Sequence, residues 1–126
     1  MATSFFIDPD IRKASTLPAS FYRDLEVFEA LKEKVFYKSW QCIGDTGLLG
    51  GEDTACPLVL LEGFLDEPLL LTRAASGEMH CLSNVCTHRG NLVVGQKGRY
   101  RKLVCGYHGR RFALDGRFEF MPEFTE

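Results

Sequence analysis

The sequence is poor in the features that would place a chain in a membrane, outside the cell or in a repeat array. Its longest apolar runs are Leu58–Leu61 and Leu69–Leu71, far short of the roughly 20 residues a membrane-spanning helix needs. The opening Met1-Ala2-Thr3-Ser4 carries no basic stretch and leads to Asp8 and Asp10, so no secretory signal is expected. There is no internal repeat and no low-complexity segment. Five cysteines make an odd count, and without an export signal they argue against a disulfide framework. Histidine is scarce: His80, His88 and His108 are all there are. That scarcity limits the metal chemistry open to the chain.

What is present is an ordinary globular composition. The 126 residues suffice for one domain, with 45% hydrophobic and 25% charged residues, which excludes disorder as the main state. The net charge of −2 argues neither for nor against nucleic acid. Its distribution is uneven. From Cys86 to Phe118 eight Lys or Arg stand against one Asp, while the rest carries seven basic and sixteen acidic residues. Such a basic third suits a surface that meets an acidic partner, and equally a solvated face.

Residues 1–23 read as an irregular lead-in. Asp24 to Lys38 reads as a helix, with Leu25, Phe28, Leu31, Val35 and Phe36 forming an apolar face. Asp24 is placed to cap it, and Lys32, Lys34 and Lys38 suit its C-terminal dipole. After Trp40 short apolar runs alternate with turn signals. Strands are predicted at Ser39–Ile43, Pro57–Glu62, Pro68–Arg73, Glu78–Ser83, Leu92–Val94, Lys102–Cys105, Arg110–Ala113 and Arg117–Phe120. Asp115-Gly116 marks a hairpin. The fold class is mainly β: a small antiparallel barrel or sandwich after one helix.

Two motifs carry chemistry. Cys86-Thr87-His88-Arg89-Gly90 and Cys105-Gly106-Tyr107-His108-Gly109 each pair a thiol with an imidazole. Sixteen residues separate His88 from Cys105, and both motifs fall on loops between predicted strands. Zinc accepts two sulfurs and two nitrogens in a tetrahedron, but its loops more often supply like ligands in pairs. One Cys and one His per loop suits a two-iron cluster with sulfur on one iron and nitrogen on the other. His80 lies within a predicted strand and reads as a structural or surface residue. Cys42 and Cys81 read as core thiols.

The spacing C-x-H, sixteen residues, C-x-x-H resembles the Rieske [2Fe–2S] family. Cys-Thr-His-Arg-Gly and Cys-Gly-Tyr-His-Gly, followed by Phe112 and Leu114-Asp115-Gly116-Arg117, are similar to its ring-hydroxylating oxygenase branch. So are Phe36-x-x-x-Trp40, Leu70-Leu71-Thr72-Arg73 and Asn84-Val85-Cys86. The resemblance runs from about Phe21 to Pro122 and implies a two-loop cluster-binding subdomain. It implies Cys86 and Cys105 on one iron, and His88 and His108 on the iron nearer solvent. The oxidised cluster with two thiolates and two neutral imidazoles is then formally neutral, and one electron makes it negative. High-potential members carry loop cysteines that pair, and hydroxyls that donate to the cluster. The matching positions here are Asn91, Tyr107, Arg110 and Phe112, which supply no disulfide and, at Arg110 and Phe112, no hydroxyl. A potential low in the Rieske range is implied. Arg110 departs from the branch, which usually has Trp there; Arg110 and Arg111 read either as docking residues or as exposed charge.

An oxygenase needs a mononuclear iron held by two His and a carboxylate. With two histidines assigned to the cluster, His80 alone cannot build that site. The resemblance therefore implies residues 1–38 as an extension and helix, and 39–122 as the Rieske domain with cluster loops 86–91 and 105–112. Residues 123–126 would begin a linker to a catalytic domain holding mononuclear Fe(II). It implies a ferredoxin or flavin-dependent reductase as electron donor, and a catalytic domain or neighbouring subunit as acceptor, with a trimer in the full-length form. No nucleic-acid or membrane partner and a cytoplasmic location are expected. A stand-alone Rieske ferredoxin and a zinc-binding structural module remain as alternatives; the helical lead-in favours the oxygenase.

Overall fold

The computed structural model describes residues 5–122. The expected linker, 123–126, lies outside the described residues. The chain divides into two compact units, Met1–Cys42 and Ile43–Glu126.

The first unit holds the helix α1, Leu25–Lys34. Asp24 caps it as expected, its carboxylate accepting the Glu26 N–H at 2.8 Å. The helix stops four residues before the predicted Lys38, and a separate 3₁₀ turn follows at Phe36–Lys38. Its buried residue is Val27, whereas Leu25, Phe28 and Val35 of the predicted apolar face are exposed. Ser39–Ile43 is not a strand. The Gln41 side chain donates to the Ser39 hydroxyl at 2.8 Å, and this local bonding replaces a ladder.

The second unit holds two antiparallel sheets. Strands β1 (Thr54–Leu60), β2 (Glu67–Arg73), β3 (Met79–Ser83) and β4 (Gly98–Arg99) form one, ordered β3-β2-β1-β4. Strands β5 (Leu103–Val104), β6 (Arg111–Phe112) and β7 (Phe118–Phe120) form the other, ordered β5-β6-β7. Neither sheet closes, so the barrel alternative gives way to two open sheets. β1 begins three residues before the predicted Pro57. Pro57 is tolerated because β4 pairs only with Thr54 and Ala55, leaving that edge free beyond them. Leu92–Val94 is not a strand either. Leu92 makes one isolated bridge to Val85, and Val94 gives its N–H and C=O to the Asn84 side chain at 2.9 and 2.8 Å. β4 had no sequence signal, being a Gly-Arg pair in a basic stretch.

The core runs between the sheets through Ala55, Leu70, Val94, Leu103, Phe112 and Leu114, and it includes Cys86 and Cys105. Thr72 ties the sheets together, its hydroxyl donating to the Leu114 carbonyl at 2.6 Å in a fully buried position. The Asp115-Gly116 turn forms as expected: Gly116 donates to the Ala113 carbonyl at 3.0 Å, and Asp115 accepts the Arg117 N–H at 2.9 Å.

Candidate metal centre

The two Cys/His motifs fold into loops with the same backbone. In the first, Cys86 N–H donates to the Asn91 carbonyl at 2.8 Å, and Gly90 N–H returns to the Cys86 carbonyl at 3.0 Å. In the second, Cys105 N–H donates to the Arg110 carbonyl at 2.9 Å, and Gly109 N–H returns to the Cys105 carbonyl at 3.0 Å. Gly90 and Gly109 close the two turns with φ of 71° and 70°, a left-handed conformation that glycine adopts without steric penalty. The Val85–Leu92 bridge spans the first loop, and the Val104–Arg111 pair of β5 and β6 spans the second.

This geometry puts like donors together. Cys86 and Cys105 are each 2% exposed, and the Cys86 thiol hydrogen-bonds to Cys105. The imidazoles of His88 and His108 lie edge to face, 4.9 Å between ring centroids. His88 is half-buried and His108 exposed. Sulfur is thus on the core side and nitrogen on the solvent side. Among the described residues no three or more His, Cys, Asp or Glu converge as a single-ion site.

The electrostatics prepare both donor types. Burial pushes the Cys105 thiol up. Hydrogen bonds from the Tyr107 N–H, the Cys86 thiol, the His108 N–H and the Asn91 amide outweigh it, so the net shift is downward, towards thiolate. The Asn91 contact measures 3.7 Å from Nδ2 to Sγ. Sequence reasoning treated Asn91 only as a position that cannot form a disulfide and missed this donor. His88 is held below its ordinary value, first by desolvation and then by the charges of His108, Arg89 and Arg110. Both shifts favour the forms that bind metal: thiolate sulfur and neutral imidazole.

The remaining sequence candidates separate from this centre. His80 sits half-buried in β3, 3.9 Å from the Glu78 carboxylate. Cys42 and Cys81 are exposed, not core thiols; Cys56 is the buried one outside the loops. Cys81 follows from the strand alternation, which turns it to the face opposite His80 and Leu82. The basic segment does not gather into one patch. Lys102 pairs with Glu119 at 2.8 Å, Arg117 with Asp115 at 3.8 Å, and Lys97 and Arg99 border an open groove with Glu52. Arg89 and Arg110 stay at the loops, where both act on His88.

No helix among the described residues is long and apolar enough to cross a membrane. The Rieske [2Fe–2S] domain family matches residues 39–126. The chain is 38% identical over 106 residues to the glycine betaine monooxygenase oxygenase subunit of Pseudomonas aeruginosa, covering 83% of this chain and 24% of that protein. It is 33% identical over 106 residues to the carnitine monooxygenase oxygenase subunit of Escherichia coli K12, covering 83% and 27%. A quaternary ammonium Rieske monooxygenase solved with L-carnitine superposes with a TM-score of 0.76 at 29% identity, over 87% of this chain and 30% of that one. Naphthalene 1,2-dioxygenase from Rhodococcus shares the fold, with a TM-score of 0.75 at 24% identity over 86% and 24%. The chain spans about a quarter of the length of the curated relatives it matches. With residues 39–126 matched, and with Cys86, His88, Cys105 and His108 carried on two like-folded loops, the chain belongs to the Rieske [2Fe–2S] domain family.

Proposed function

We propose that Cys86 and Cys105 hold one iron of a [2Fe–2S] cluster and His88 and His108 the other. The domain then relays single electrons within an oxygenase subunit. The observation that carries this reading is the pairing of like donors: two adjoining buried sulfurs, and two imidazoles 4.9 Å apart. When bound, the cluster supplies storage and transfer of one electron at a time. Cys86 and Cys105 anchor it to the core. Asn91 and the Tyr107 and His108 N–H groups donate towards the Cys105 sulfur and stabilise negative charge there. His88 and His108 hold the edge from which an electron leaves.

The electron goes to a mononuclear iron in a catalytic domain or a neighbouring subunit, since this chain has no further histidine pair for such a site. A ferredoxin or flavin-dependent reductase supplies it, in a full-length protein that assembles as a ring of three. Residues 1–38 form the extension, 39–122 the electron-transfer domain, and 123–126 lead to the catalytic domain. The relatives' names point to a quaternary ammonium compound as the substrate class. The cytoplasm, where thiols stay reduced, suits a chain whose five cysteines are all free.

The test is spectroscopic. Purified protein should be red-brown and give a Rieske EPR signal on reduction. His88→Cys should lower the midpoint potential, because a thiolate adds negative charge. A colourless protein with stoichiometric zinc, made under iron-replete anaerobic conditions, would refute the reading, as would an unchanged potential in H88C.

A further inference from the structure

Arg110, which directly follows the Cys105–Gly109 motif within the second loop, is unusual in its surroundings. Its carbonyl closes the loop by accepting the Cys105 N–H at 2.9 Å. Its guanidinium lies over the Phe118 ring at 4.7 Å and the Phe112 ring at 5.6 Å. Its Nε is buried and has no hydrogen-bond partner among the described residues. Stacking on two aromatic faces favours the cation, while an unpaired buried N–H costs free energy. Exposed arginines do not share this situation. Arg111, the next residue, is exposed with its guanidinium over Phe120 at 5.2 Å.

Among the described residues Arg110 forms no ion pair, whereas Lys102 engages Glu119 and Arg117 engages Asp115. The loop that Arg110 closes carries Cys105 and His108. We propose that Arg110 is a potential-setting positioning residue. The Phe112–Phe118 pair clamps its permanent charge beside the cluster loops, where it stabilises the reduced, negatively charged state. The exposed arginines of the segment are screened by solvent; Arg110, half-buried, is not to the same degree. The inference rests on the cluster assignment proposed above.

The experiment is a redox titration of the cluster-loaded protein, with dithionite as the one-electron reductant. Wild type is compared with Arg110→Met, Arg110→Trp, Arg110→Lys and Arg111→Met. Absence of a Rieske EPR signal in the wild type would overturn the cluster assignment, and the inference with it. With that signal present, R110M and R110W should lower the ratio of reduced to oxidised protein at fixed potential by about threefold to tenfold. Tenfold corresponds to a shift of about 59 mV for one electron. R110K should keep at least half of the wild-type advantage, and R111M should match wild type. R110W also guards against misfolding, since it restores the aromatic residue of the branch. Equal potentials in wild type, R110M and R110W would overturn the inference. So would an R110K as low as R110M, or an R111M shifted as far as either. A loss of electron-transfer rate in R110M at unchanged potential would assign Arg110 to partner docking and refute the potential-setting role.

Discussion

The two cluster loops contain an internal control for their own stability. Gly90 and Gly109 occupy equivalent positions with φ of 71° and 70°. An alanine at either position must adopt a left-handed conformation, which costs roughly 1–2 kcal/mol for a residue with a Cβ. The surroundings differ. A Cβ at Gly90 meets nothing within 4 Å, while one at Gly109 meets Pro122 Cγ at 3.3 Å. Gly90→Ala therefore measures conformational strain alone, and Gly109→Ala measures strain plus a contact. Pro122 is exposed and can yield, so the extra cost should be a few tenths of a kcal/mol, below the 1–3 kcal/mol of overpacking in a sealed core. For a unit of this size each kcal/mol lowers Tm by roughly 4–8 °C. Thermal unfolding followed by circular dichroism of the metal-free chain gives the order: wild type above G90A, and G90A at or slightly above G109A. Gly90→Asn should recover part of the loss, because Asn visits the left-handed region at lower cost. A G90A variant within about 2 °C of wild type would refute the strain argument, since 1–2 kcal/mol cannot hide in that interval. So would a G90N less stable than G90A.

Two further outcomes follow from other parts of the second unit. Thr72→Val keeps the shape of a fully buried side chain but leaves the Leu114 carbonyl without its 2.6 Å donor; a loss of about 1–3 kcal/mol is expected in urea unfolding, and Thr72→Ser should restore most of it. Equal stability of T72V and wild type would show that the link between the sheets contributes nothing. In the metal-free chain, His88 is held below its ordinary 6.5, so the unfolded chain takes up a proton first. Stability should fall as pH drops from 6.5 to the lowered value and then level off. NMR titration of His88, with His88→Gln abolishing that portion of the pH dependence, checks this; a His88 that titrates above 6.5 would reverse the sign.

The loop positions and most strands were legible in the sequence, because these depend on local patterns: Cys/His spacing, Asp-Gly turns and short apolar runs. It misread what depends on side chains competing for backbone. Val93 and Val94 have strand composition, but Asn84 takes both backbone groups of Val94, and no propensity scale registers that competition. The Ser39–Ile43 error has the same origin in Gln41. The exposed Cys42 and Cys81 show a different limit. A cysteine is usually buried, yet Cys81 alternates outward on β3, and the face a strand buries is settled only by its partner sheet. The role of Asn91 was hidden for a third reason: its sulfur partner lies fourteen residues away, across two loops whose approach the sequence does not encode locally.

The two loops share a backbone, yet their histidines are offset. Counting from each cysteine, His88 is the third residue of its loop and His108 the fourth, although the hydrogen bonds that close the two loops are the same. A shared backbone with shifted histidines cannot give the two imidazoles equivalent surroundings. The third place of the second loop falls to Tyr107, whose ring lies 3.8 Å from that of His108 at a tilt of 32°. The fourth place of the first loop falls to Arg89, whose charge acts on His88. One imidazole therefore leans on an aromatic face and the other sits beside a cation. The two imidazoles differ in their exposure, with His108 the more open to solvent. The neighbours at Arg89 and Tyr107, together with the deeper burial of His88, make the two imidazole environments unlike.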